Sequence, residues 1–198
     1  MGLFYPKRGA IPDLLRYWAK HSSLDSFHEA LLHRHAEVLQ VKQGHRLQEE
    51  GIVQRNIYFV CKGLIARQIV HDDGRRSLLT IATPHMALFT TVHPYTSRAS
   101  LGEIVSILPS LVLRIPYNIV LPYRYKDPAI ERLIDIFINK KKAQTDQLRL
   151  LSTLQQPTQR YIAFAKRLPD LNRLLTEQEI ADLLQISRST VQRAQRLI

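Results

Sequence analysis

The residues with the most specific chemical potential lie in the last two dozen positions. Between Leu175 and Ile198 stand Arg188, Ser189, Thr190, Gln192, Arg193 and Arg196, with Val191 and Ala194 among them. At helical spacing Val191 and Ala194 share one face, and the arginines, Ser189 and Gln192 fall on the others. A guanidinium can bond guanine O6 and N7 together in the major groove, so the chemistry on offer is recognition of duplex DNA. The preceding stretch supplies a support. Thr176 followed by Glu179 is a capping box that opens a helix. Ile180 and Leu184 form its inward face, and Ala181 is small where two helices must cross closely. Ser187 caps the second helix. Two capped helices joined by a short turn make a helix-turn-helix. A plain α-hairpin with a basic face would account for the charge but not for the small alanine, the two caps and the apolar spacing together. Gln185 stands where many such turns place glycine, so it must tolerate an unfavourable backbone conformation or form a slightly different turn.

Other reactive residue types give weaker patterns. The eight histidines are at 21, 28, 33, 35, 45, 71, 85 and 93. His28 and His33 are five apart and His33 and His35 two apart, unlike the i, i+4 pair of a helical zinc site. His71 or His85 would be the axial ligand if haem were bound; hydrogen-bonded or exposed histidine is the expectation for each, and no metal site is assigned. The single cysteine, Cys61, lies in the apolar run Ile57–Cys61 and reads as a small buried hydrophobe. It excludes an internal disulfide and a multi-cysteine iron–sulfur or zinc centre. There is no G-x-S-x-G, P-loop, CxxC or paired-carboxylate pattern, so no enzyme is expected. Lys140, Lys141 and Lys142 read as a solvated helix face.

These groups must be positioned by the rest of the 198 residues, which are 45% hydrophobic and 23% charged, the profile of a folded protein. The net charge is +11; residues 140–198 hold 11 Lys and Arg against 5 Asp and Glu, so the shorter C-terminal piece is the more densely basic. Such a domain suits a polyanion, because neutralised phosphates release counterions. No apolar run reaches membrane-spanning length, and the N-terminus lacks the order of a signal peptide, so a reducing cytoplasm is expected. Helical spacing fills residues 10–35 in two pieces split near His21-Ser22-Ser23. Short strand-like runs follow at 37–41, 56–61, 64–70, 77–81, 103–108 and 111–115. Turn residues separate them, among them Lys62-Gly63, Pro109-Ser110 and the hairpin signal Asp73-Gly74. Asp127 and Pro128 then open a long helix that stops before Pro157. Its pattern of Ile130, Leu133, Ile134, Phe137, Ile138, Lys141, Gln144, Leu148 and Leu151 reads as a dimerisation seam, with packing on its own barrel as the alternative. A further helix runs from Pro157 to Leu168 and ends at Pro169.

This order of elements resembles the Crp/Fnr family of bacterial transcription regulators over nearly the whole chain. Gly44, Glu50-Gly51, Ile57-Tyr58-Phe59-Val60, Lys62-Gly63 and Gly74-Arg75 look like the glycine and strand pattern of its cyclic-nucleotide-binding β-roll, and Ser187–Arg193 looks like its recognition helix. The resemblance implies an α+β fold: an N-terminal β-roll of jelly-roll type with flanking helices (1–126), a dimerisation helix (127–155) and a C-terminal helix-turn-helix (156–198). It implies that Arg188, Ser189 and Arg193 read bases and that Thr190 touches phosphate. It also implies a homodimer on a palindromic operator, and RNA polymerase is a further partner it points to. The acidic residue often found at the place of Ser189 is missing, which implies a different base preference. Nucleotide-binding members carry Gly-Glu and, ten residues on from the Glu, Arg-Ser or Arg-Thr. Here the aligned pairs are Ala87-Leu88 and Arg98-Ala99, followed by Ser100, so cyclic AMP is not expected to bind in the usual mode and no cofactor is assigned. The alternative function is a small-molecule or haem sensor with weak or lost DNA binding. The sequence stops before the β-hairpin wing of many members, as in shorter members or after truncation. The operator, the effector and the choice between activation and repression are not written in these residues.

Overall fold

The computed structural model describes residues 9–89 and 98–198; His93 lies outside the described residues. The elements follow the order α1 (Ala10–Ala19), α2 (Ser26–His35), β1 (Glu37–Val41), β2 (Arg46–Gln48), β3 (Asn56–Val70), β4 (Arg76–Ala82), β5 (Ala87–Leu88), β6 (Glu103–Pro116), α3 (Tyr117–Val120), α4 (Pro128–Ser152), α5 (Pro157–Arg167), α6 (Pro169–Leu174), α7 (Glu177–Leu184) and α8 (Arg188–Gln195). The fold is α+β, as the resemblance implies. No helix of the described residues is long and apolar enough to cross a membrane. By its contacts the chain divides into two compact units, residues 1–67 with 81–141, and residues 68–80 with 142–198.

The first unit is built around β6. It pairs antiparallel with β1, in register from Glu37 opposite Arg114 to Val41 opposite Ser110, and with β2, and it neighbours β3. The sequence separates two strands at Lys62-Gly63 and two more at Pro109-Ser110; the structure has one continuous strand in each place, β3 and β6. The supposed turn residues face one another. Gly63 takes a left-handed φ of +84°, and a Cβ there would lie 2.7 Å from Ser110 Cα and closer still to Ser110 Oγ and the Pro109 carbonyl. Ser110 Oγ accepts from Leu64 N–H at 2.9 Å, and its one proton has the Leu108 carbonyl at 2.6 Å and the Leu64 carbonyl at 3.2 Å within reach. Residue types that usually punctuate strands here let two long strands approach closely. The short β2 and β5 escape sequence reading because two or three residues carry no periodicity.

Ile57, Phe59 and Cys61 of β3 join a core with Leu14, Trp18 and Phe137, while Tyr58 and Val60 join a second with Leu88, Ile104 and Val112. Both faces of β3 are therefore dry, which explains its unbroken apolar run. Burial pushes the Cys61 thiol up to about 12, so it stays a protonated, apolar group. Trp18 Nε1–H donates to the Ala129 carbonyl at 2.9 Å. Buried His28 lies between two carboxylates, Asp25 at 2.7 Å and Asp127 at 3.2 Å, each of which caps a helix. Hydrogen bonds from backbone N–H groups and His28 outweigh desolvation and hold both carboxyls below the usual range.

The start of α4 corrects the seam expected from its periodicity. Ile130, Leu133, Ile134 and Phe137 are buried in the first unit's own core, the alternative that the periodicity left open. Within the chain Leu151 and Gln144 are also buried, Lys141 and Leu148 are partly so, and Ile138 packs at the edge of the core. Amphipathic spacing records only that one face is covered; it does not say by what.

In the second unit the hairpin turns at Asp73-Gly74 as expected, with His71 N–H on the Arg75 carbonyl and Gly74 N–H on the His71 carbonyl, both at 2.8 Å. Pro169, expected as a stop, is also the first residue of the short helix α6, where a missing N–H costs nothing.

The close contact at Gly63 makes Gly63→Ala costly. Left-handed strain and overlap with backbone atoms together are expected to remove at least about 2 kcal/mol. Urea unfolding measures it, and a change under about 0.5 kcal/mol would show that the contact is looser than described.

Candidate nucleic-acid interface and effector pocket

The helix-turn-helix is assembled from capped ends inward. Thr176 Oγ1 accepts from Glu179 N–H at 3.3 Å and Glu179 Oε2 accepts from Thr176 N–H at 2.8 Å, closing the capping box of α7. Gln185 ends the helix in the left-handed region, φ +53° and ψ +49°. Its N–H and that of Ile186 both reach the Ala181 carbonyl. The turn therefore keeps its usual geometry and Gln185 bears the strain, the first of the two possibilities read from the sequence. Ser187 Oγ then accepts from Thr190 N–H at 3.2 Å and starts α8. Arg160, on α5, donates to the Leu184 carbonyl at 3.0 Å and the Leu154 carbonyl at 2.9 Å, satisfying the C-terminal end of α7.

Helix α8 packs against α5 and α7. Val191 and Ala194 are fully buried, as are Ile180, Ala181, Leu184, Tyr161 and Phe164 nearby in sequence on those helices. That leaves Arg188, Ser189, Gln192, Arg193 and Arg196 exposed together, on the faces the spacing assigned to them. Thr190 differs. It is buried, and its hydroxyl is engaged by Ser187 Oγ at 2.8 Å and by Arg193 Nη2 at 3.3 Å, so it braces the helix and one of its arginines. Glu177, which no sequence motif singled out, accepts from Arg188 Nε at 3.0 Å and from Gln192 Nε2 at 2.8 Å on the same oxygen, Oε2. The Gln192 and Arg188 bonds hold the Glu177 carboxyl below its usual range. Arg76, on the β4 side of the hairpin, pairs with Asp182 of α7 at 3.3 Å.

The residues aligned with the effector pocket are scattered in kind. Leu88 is buried in the second core cluster and takes part in packing, not in polar recognition. Arg98 and Ala99 are exposed, whereas Ser100 is buried. The cation inside the roll is Arg67, only 1% exposed. Its Nη1 donates to the Leu101 carbonyl at 2.9 Å and the Gly102 carbonyl at 3.4 Å, and its Nη2 to Gln54 Oε1 and to the Phe89 carbonyl at 3.2 Å. Among the described residues no carboxylate pairs with it. Burial lowers the guanidinium to about 10. Lys141 Nζ sits 4.7 Å over the Phe89 ring, and burial followed by the Arg67 charge brings this ammonium down to about 8. The sequence signal for Arg67 was a lone arginine inside the apolar run 64–70. Among the described residues no group of three His, Cys, Asp or Glu side chains could hold a metal ion.

No protein-family model and no curated protein matches the sequence. Solved structures do match in fold. FixK2 from Bradyrhizobium japonicum superposes with a TM-score of 0.67 at 17% identity, covering 82% of this chain and 83% of that one. A transcriptional regulator of the Crp/Fnr family from Eubacterium rectale gives 0.67 at 14% identity, covering 88% and 83%. The c-di-GMP-responsive global regulator CLP from Xanthomonas campestris gives 0.66 at 14%, covering 87% and 91%. The likeness at these identities is one of fold.

The strain at Gln185 has a measurable size. Gln185→Gly is expected to stabilise the protein by about 0.5–1 kcal/mol, since a left-handed non-glycine residue costs about 1–2 kcal/mol and glycine returns part of this as chain entropy. Thermal unfolding followed by circular dichroism would show a raised midpoint; a lowered one contradicts the assigned turn.

Proposed function

We propose that this chain is a Crp/Fnr-type transcription regulator that binds a palindromic DNA operator as a homodimer, in the cytoplasm, and is not an enzyme. The observation that carries the reading is the segregation of α8: a buried Val191–Ala194 face against α5 and α7, and an exposed basic face of Arg188, Ser189, Gln192, Arg193 and Arg196. A short helix so mounted enters a major groove, where arginine reads guanine. Two copies about a two-fold axis would set recognition helices one DNA turn apart, ~34 Å.

The pairing surface proposed here is not the one the periodicity first suggests. Ala143 and Leu150, seven residues apart on α4, are exposed, and Ile136, seven residues before Ala143, is half-buried at the edge of the first core. Leu150 is 48% exposed. A seven-residue repeat of small and apolar side chains is what a helix-pair seam requires. For the roll, the reading is that cyclic AMP is not bound in the usual mode. Leu88 offers no ribose acceptor and packs in the core, and the interior guanidinium of Arg67 is already bonded to protein oxygens. RNA polymerase is proposed as a partner on the fold resemblance alone.

Fluorescence anisotropy against genomic fragments and random duplexes at several salt concentrations tests the DNA reading. Tight binding should weaken steeply with salt, and Arg188→Ala or Arg193→Ala should each cost about 1–3 kcal/mol on the preferred duplex. Binding that is absent, or indifferent to both substitutions, would sink it. Sedimentation tests the seam: the parent should run as a dimer, and Ala143→Glu, which places a charge in the row, as a folded monomer. An unaltered dimer in the variant places the interface elsewhere.

A further inference from the structure

We infer that Glu177 is a specificity-determining positioning residue that tethers the two recognition side chains Arg188 and Gln192; this rests on the DNA-binding reading above. One carboxylate oxygen accepts both Arg188 Nε at 3.0 Å and Gln192 Nε2 at 2.8 Å. Arg188 and Gln192 are one helical turn apart on α8, so their side chains are neighbours on one face. Glu177 reaches them from the first residue of α7, across the turn, at separations of 11 and 15 residues.

The bonded atoms decide what remains available. Arg188 gives its Nε–H to Glu177, which leaves the two terminal nitrogens as an outward pair, the arrangement that matches guanine O6 and N7. Gln192 gives one amide N–H and keeps the other together with its carbonyl oxygen, the donor and acceptor that adenine requires. The ion pair is largely solvent-exposed, with Arg188 at 60% and Glu177 at 31% side-chain exposure, so its contribution to folding is small. Its weight falls on DNA. A carboxylate beside the groove-facing arginine competes with phosphate for that cation and repels the backbone of a mismatched duplex. A matched base need not displace Glu177, because Arg188 keeps its terminal nitrogens and Gln192 one N–H and its carbonyl oxygen. Glu177 therefore weakens sequence-independent binding more than sequence-specific binding.

The test compares the full chain with Glu177→Gln, and both with the same change made in an Arg188→Ala, Gln192→Ala background. The probes are a random-sequence duplex pool and the duplex that the parent selects from it. Thermal melts confirm that each variant folds; the capping box of α7 uses Thr176 and Glu179, not Glu177. Glu177→Gln should bind the random pool several-fold more tightly. Its log affinity against log salt should steepen by about 1, as a released arginine engages one more phosphate. The ratio of selected to random affinity should fall, and all of this should vanish in the double-alanine background. Unchanged slope and ratio would overturn the inference, as would an effect that persists undiminished without Arg188 and Gln192, which would mean through-space repulsion only. A parent with no salt-dependent DNA binding would instead overturn the function proposed above, and this inference with it.

Discussion

Two strands of 15 and 14 residues lie side by side in one sheet, and at Gly63 against Pro109 and Ser110 their backbones leave no room for a side chain. The approach is closer than any Cβ allows, and the serine hydroxyl accepts from the N–H of Leu64. Both faces of β3 are buried, one on Trp18, Phe137 and the flanking helices, the other on Leu88 and Ile104. The start of α4 is fixed in turn, because the first of these cores takes in Ile130, Leu133, Ile134 and Phe137.

Inside the roll the polar logic is equally economical. Arg67 is a desolvated cation without a carboxylate among the described residues, yet four oxygens accept from its terminal nitrogens. Three of those oxygens are the carbonyls of Phe89, Leu101 and Gly102. A buried guanidinium is tolerable when its donors are met, and in meeting them it ties strand β3 to these three backbone positions.

Much of the fold was legible in sequence because its signals are local. Capping residues Asp127, Thr176 with Glu179, and Ser187 act within one helical turn, and each does what its type and offset imply. The exposed recognition face follows from the position of Val191 and Ala194 alone. What escaped is what depends on distant partners. Gly63 and Ser110 read as turns because their types are those of turns; their role appears only when residues 46 apart meet. The stripe on α4 shows a covered face but not whether the chain or a second copy covers it. The likeness to nucleotide-binding members pointed to Leu88 and Arg98, whereas the interior cation comes from another strand. Glu177 was silent because its partners lie beyond the turn, at offsets that no helical periodicity links.

The same contact bears on the order in which the roll comes together. Joining Leu64 to Ser110 closes a loop of 46 residues, and closure entropy rises with loop length and must be met before any packing rewards it. The hairpin through Asp73-Gly74 pairs residues a few positions apart and carries no such delay, so β3 and β4 can be joined while β6 is still searching. Until β6 docks, the apolar faces of β3 lack their cover, so the contact that closes the longer loop is also the one that completes the burial of this strand.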